Sequence, residues 1–131
     1  MTRFAAAIAA LVLGAGAAAA DPIEGTWQTT RDDNGNFGHI EVGPCPGNAA
    51  QYCGTLVRSF NSSGNAISSE NIGRMIISQA EPQGGGEYRG KIYAPDRDRT
   101  YNSRMTLNGN SLSVSGCVLG ICRDGGTWTR Q

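Results

Sequence analysis

From Glu24 onward, apolar and polar positions alternate in short runs, and each run ends in a cluster of Gly, Pro, Asn or Asp. A period of two marks strands with one buried face, so the pattern predicts strands. In the first, residues 24–31, Gly25, Trp27 and Thr29 share a face. In the second, residues 37–43, Ile40 and Val42 lie opposite His39 and Glu41. A third is expected over residues 51–59, with Cys53 near its start, and a fourth over residues 73–79 around Met75-Ile76-Ile77. Tyr88, Gly90 and Ile92 align in a fifth strand, residues 87–94. Tyr101, Ser103, Met105 and Leu107 align in a sixth, residues 100–107. Residues 111–130 form the closing pair: Leu112, Val114 and Gly116 alternate with serines, a turn joins Cys117 to Cys122, and the chain runs on to Trp128-Thr129-Arg130.

The connections agree with this reading. Asn34-Gly35 and Asn108-Gly109 supply the left-handed backbone that tight hairpins need. Pro44-Cys45-Pro46-Gly47, Pro82 with the glycines 84–86, and Pro95-Asp96-Arg97-Asp98-Arg99 punctuate the other runs. The polar stretch 61–71 reads as the longest loop. About eight strands with short connections and no helical period predict an all-β fold, a single antiparallel up-and-down barrel, since closure removes exposed edges. Asp32, Asn34 and Asn36 also alternate as calcium ligands do. Phe37 stands where such a loop needs Gly, however, and Gly43 where it needs its closing acid, so the segment is a turn.

The N-terminus changes the picture of the whole chain. Arg3 precedes an apolar run that ends in Ala18-Ala19-Ala20 before Asp21-Pro22. That is the pattern of a cleaved secretion signal, residues 1–20, leaving residues 21–131 as one barrel domain. The run is rich in Ala and Gly and lacks a basic flank, so no stable membrane anchor is expected. The expected location is the periplasm or the exterior. The whole chain has 11 basic and 11 acidic residues, and losing Arg3 leaves 10 against 11. Without a basic cluster, nucleic acid is excluded as a partner.

Four cysteines in an exported small domain imply two disulfides. Zinc fits poorly, because Cys45/Cys53 and Cys117/Cys122 do not form matching short-spaced pairs. Three pairings are open in principle. The local one, Cys45–Cys53 and Cys117–Cys122, is favoured because Cys117 and Cys122 can face each other across a hairpin neck.

At Gly25-Thr26-Trp27, Gly90-Lys91-Ile92-Tyr93-Ala94-Pro95, Thr100-Tyr101, Gly116-Cys117 and Cys122 through Thr127-Trp128-Thr129-Arg130, the chain resembles domain of unknown function family 2147. Its members are small exported bacterial proteins that look like lipocalin-type barrels. The resemblance implies a lipocalin-like barrel and no established activity. It also implies a structural barrel end in which Arg130 packs over Trp27. The chain departs from the family pattern at Asp98, where a Gly is usual, and before the fourth strand, where only Asn71, Gly73 and Arg74 match.

Candidate chemistry is sparse. His39 is the single histidine and is expected on the solvent side beside Glu41. Asp96 and Asp98 sit in a tight turn, where Asp serves local hydrogen bonding. With the cysteines oxidised, no nucleophile–base pair is left, so no catalytic residue, metal or cofactor is expected. The candidate ligand-binding set is Tyr88, Ile92, Tyr101, Met105 and Trp128, whose apolar bodies and polar tips would suit a small apolar ligand inside a monomeric barrel. Gly54, Gly90 and Gly116 fall inside strands, where they leave room for a ligand or mark bends. The alternative is an envelope protein partner, such as an enzyme to be inhibited, bound through the loops, with residues 61–71 as the candidate surface.

Overall fold

The computed structural model describes residues 20–131. The expected secretion signal therefore lies outside the described residues, apart from Ala20. The chain forms nine strands: β1 (Gly25–Gln28), β2 (Phe37–Cys45), β3 (Asn48–Phe60), β4 (Ala66–Ile67), β5 (Met75–Gly84), β6 (Glu87–Ala94), β7 (Arg99–Asn108), β8 (Ser111–Val118) and β9 (Ile121–Arg130). No helix occurs among the described residues. Each hairpin pairs antiparallel, β2 pairs with β3, and β1 pairs with both β2 and β9. The ring of eight strands is therefore closed, and β4 hangs on the outer end of β3 through Ser59↔Ile67 and Phe60↔Ala66. This is the all-β up-and-down barrel that the alternation predicts.

Several boundaries differ from expectation: β2 runs on through Pro44 to Cys45, and β3 already starts at Asn48, ahead of the expected Gln51. β1 covers four residues instead of running to Arg31. Asp32 folds the chain back by accepting the backbone N–H of Asn34 and Asn36, each at 2.9 Å, so Thr30 and Arg31 leave the ladder. The stretch 61–71 is not all loop, because β4 forms inside it. β5 starts at Met75 and runs through Pro82 to Gly84, carrying a bulge between Ser78 and Glu81 where Gln79 takes φ 54°. A bulge inserts an extra residue and sharpens the local bend, which helps a sheet to close.

The inward faces build one core. Ile23, Trp27, Ile40, Ile77, Met105 and Leu112 are its largest fully buried side chains. Up-and-down order places the β2–β3, β5–β6 and β7–β8 turns at one end, together with residues 21–24. The β1–β2 loop, the segment with β4, the β6–β7 turn and the β8–β9 turn lie at the other. The first end is stoppered, and the second is the rim. Each end holds one disulfide at a hairpin neck. Cys45–Cys53 joins β2 to β3, and Cys117–Cys122 joins β8 to β9, with Cα separations of 4.8 and 4.0 Å. The local pairing expected from spacing is the one formed.

Candidate functional site

The stoppered end is built from one cation and a turn. Asp21-Pro22-Ile23-Glu24 closes a turn in which the Glu24 N–H donates to the Asp21 carbonyl at 3.0 Å. Ile23 is driven inward, and its carbonyl accepts the Trp27 indole N–H at 2.9 Å. Arg130 lies 4.3 Å above the Trp27 ring. Its guanidinium donates to the carbonyls of Glu24 at 2.9 Å and Pro22 at 2.6 Å, and its Nε donates to the Asn110 side chain at 3.1 Å. These bonds use the donors of a planar fork while the face rests on an aromatic ring, a combination open to Arg and not to Lys. Tyr88 donates its hydroxyl to the Asp21 carboxylate from inside the barrel. Burial first, then that bond and the Asp21 charge, push the Tyr88 hydroxyl far above its ordinary pKa. Burial and the carboxylates of Asp21 and Glu24 raise Tyr52 as well, which meets Tyr88 edge-on at 6.4 Å.

Tyr88, Ile92, Met105 and Trp128 of the candidate ligand set converge on the interior and become packing there, while Tyr101 also reaches the groove beside the β8–β9 turn. Tyr88, Met105 and Trp128 belong to the buried cluster, and Ile92 packs against it. Tyr101 lies over Gly116, its Cβ 3.4 Å from where a glycine methyl would sit. The other two strand glycines are filled more tightly. A methyl at Gly54 would meet Ile40 at 2.8 Å and both Ile77 and Val42 at 3.2 Å. One at Gly90 would meet Ser78 O at 2.6 Å and Ala80 Cα at 2.7 Å, because the bulge of β5 leans into that space. The room left by missing side chains is occupied by neighbouring groups. One polar atom stands apart: the Ser103 hydroxyl is buried and has no hydrogen-bond partner among the described residues.

The rim carries what the interior does not. Arg31 stacks on Phe37 at 4.4 Å, Phe37 on Phe60 at 4.9 Å, and His39 meets Phe60 at 4.6 Å. His39 is therefore half-buried rather than free in solvent, and burial followed by the nearby Arg58 lowers its pKa. Arg74 donates to the Tyr93 hydroxyl at 2.6 Å, and that hydroxyl donates to Asp98 at 2.7 Å. The bond to Asp98 is the main cause of a raised Tyr93 pKa. Asp98 has φ 47°, a left-handed position that suits Gly and that Asp tolerates.

The feature that sequence reasoning missed is the β8–β9 turn. Val118, Leu119 and Ile121 are 52, 95 and 70% exposed, and they stand between the two bonded cysteines. The signal was present as three aliphatic residues at a hairpin tip, where Asn, Asp or Gly are usual. The expected loop surface contributes only moderate apolar exposure, with Ile67 at 37%. Beside the tip, a groove of about 530 Å³ runs over the outer wall between Lys91, Thr100, Tyr101, Asn102, Val118 and Leu119. A second of about 480 Å³ lies on the outer wall of β1 to β3, between Thr26, Glu41, Gly43 and Thr55.

Neither a curated protein nor a solved structure matches the chain. A family model does, over residues 25–130, from the first strand glycine to the arginine that closes the barrel end. With that match spanning the whole ring of strands, the chain belongs to the uncharacterized proteins conserved in bacteria grouped as DUF2147.

Proposed function

We propose that this is an exported, non-enzymatic barrel of the bacterial envelope that binds another envelope protein through its rim. Two disulfides in a bacterial family support an extracytoplasmic home, where such bonds persist. The apolar N-terminal run ending in Ala18-Ala19-Ala20 supports cleavage before Asp21. The observation that carries the choice of rim over interior is the packing at Gly54, Gly90 and Gly116. Side chains or backbone fill all three positions, so recognition falls to the outer surface.

A second reading keeps the small apolar ligand. Its support is the Ser103 hydroxyl, a buried donor without a partner that a guest with one polar end would satisfy.

One experiment separates the two. The protein is isolated from its own periplasm, weighed intact, sized by gel filtration and titrated with fatty acids while Trp27 and Trp128 emission is followed. The rim reading expects a mass beginning at Asp21, elution in an assembly larger than the monomer and no saturable fatty-acid signal. Saturable binding with elution as a monomer overturns it in favour of the interior ligand. A retained N-terminus in the membrane fraction overturns export.

A further inference from the structure

We propose that the tip of the β8–β9 hairpin is the knob of a protein–protein interface, and that its partner is a folded protein with an apolar pocket shaped for Leu119. This deepens the rim reading and rests on it.

Folding does not ask for these residues. The tip is a two-residue turn in which Leu119 takes φ 53° and Gly120 takes φ 82°, so both central positions are left-handed. Such a turn favours Asn, Asp or Gly at its first position, and the chain puts Gly there in Gly85-Gly86 and Gly109-Asn110, while Pro46-Gly47 is left-handed only at its glycine. Here it places a leucine in a strained conformation and leaves it 95% exposed, flanked by Val118 and Ile121. A bulky residue held at positive φ with its side chain in water points to a role outside the fold.

The tip is also held in shape before anything meets it. Cys117 and Cys122 are directly paired across β8 and β9 and covalently joined, so little chain entropy remains to be lost on binding.

Charge and shape select the occupant. Lys91, Arg97, Arg99 and Arg123, on the strands and the turn at this end of the barrel, meet Asp96, Asp98 and Asp124, a near-balance that leaves little attraction for an anionic leaflet. A bilayer would take the knob but leave empty the groove beside it, whose wall includes Val118 and Leu119. A protein surface fills both. The apolar tip becomes the buried centre, and Lys91, Thr100, Tyr101 and Asn102 supply the hydrogen-bonding rim found around such centres. A stable interface takes roughly 800 Å² from each partner, more than three aliphatic side chains offer, so the groove has to join.

The test places a photo-cross-linking residue at Val118 of the full chain in its own host, with Ser113 on the outer wall of β8 as control and Asp98 as a second rim position. The expected result is one discrete adduct with a different protein from Val118 and none from Ser113. The adducted protein, once purified, should bind wild type one to one and lose about tenfold or more in affinity against Leu119→Asn. Asn suits the turn, so that variant should be at least as stable as wild type, which separates lost recognition from lost folding. Full affinity in Leu119→Asn overturns the proposal. So does an adduct with a second copy of this chain, or co-sedimentation of wild type with phosphatidylethanolamine–phosphatidylglycerol vesicles that Leu119→Asn loses. Adducts from Asp98 with silence at Val118 overturn the tip and spare the rim reading, whereas silence at both overturns the two together.

Discussion

Arg130 and Trp27 face each other directly across the β9–β1 ladder, and the guanidinium lies 4.3 Å above the indole while its donors reach the carbonyls of Pro22 and Glu24. One side chain thus closes the ring of strands and ties down the turn that stoppers it. Trp27→Ala is expected to cost about 3–5 kcal/mol as a buried large-to-small change. Arg130→Ala should cost about 2–3 kcal/mol, because backbone acceptors lose a charged donor, and Arg130→Lys should recover less than half of that. Urea unfolding of both single mutants and the double mutant checks the pairing. The losses should be less than additive, since the residues share a contact.

Tyr88 and Asp21 form the second lock of the same end. Tyr88→Phe should cost about 1–2 kcal/mol near neutral pH by removing a hydrogen bond to a carboxylate. The raised Tyr88 pKa gives a sign as well. The folded state keeps its proton above the ordinary value of 10.0, and the unfolded chain does not. This contribution is therefore full below about pH 10 and drains away as pH rises above it. Chemical unfolding followed from neutral to alkaline pH should show a shallower loss in Tyr88→Phe, with the Tyr52 and Tyr93 contributions of the same sign remaining.

The strand glycines should divide sharply on substitution. Gly90→Ala forces a methyl to within 2.6 Å of Ser78 O and 2.7 Å of Ala80 Cα, both backbone atoms that cannot swing aside. It should cost about 3 kcal/mol, the upper end for overpacking, or block folding. At Gly116 the nearest atom is Tyr101 Cβ at 3.4 Å, an ordinary contact. Gly116→Ala should change stability by less than about 1 kcal/mol, the sign set by the reduced freedom of the unfolded chain. Thermal melts of the two variants side by side decide this.

The two disulfides should contribute separately. Each closes a short loop, eight residues apart for Cys45–Cys53 and five for Cys117–Cys122. The loop-entropy relation gives about 2–3 kcal/mol for each. Replacing Cys117 and Cys122 together by Ser should lower the midpoint of unfolding and free the hairpin tip, while peptide mapping still finds Cys45 joined to Cys53. Near-additive losses in the four-serine variant are expected, because the bridges sit at opposite ends of the barrel.

The one-dimensional pattern carried a great deal. The period of two across Trp27, Ile40, Val42, Tyr88, Met105, Leu112 and Val114 names the inward face of β1, β2, β6, β7 and β8, because one strand's pleat assigns faces without reference to any other. The Asn-Gly, Gly-rich and Pro-rich segments fix most of the turns, and short spacing favours the two disulfides that form, since all of these are local in the chain. Tertiary structure alone decided what meets each inward residue. Nothing local says that the bulge of β5 fills the space at Gly90, or that Tyr101 covers Gly116, or that Tyr88 reaches Asp21, 67 positions away. Those contacts follow from closure and register, which are set jointly by all the strands. The same holds for the rim. The sequence shows a valine, a leucine and an isoleucine between two cysteines, and only the folded hairpin turns Val118, Leu119 and Ile121 toward water rather than into the core.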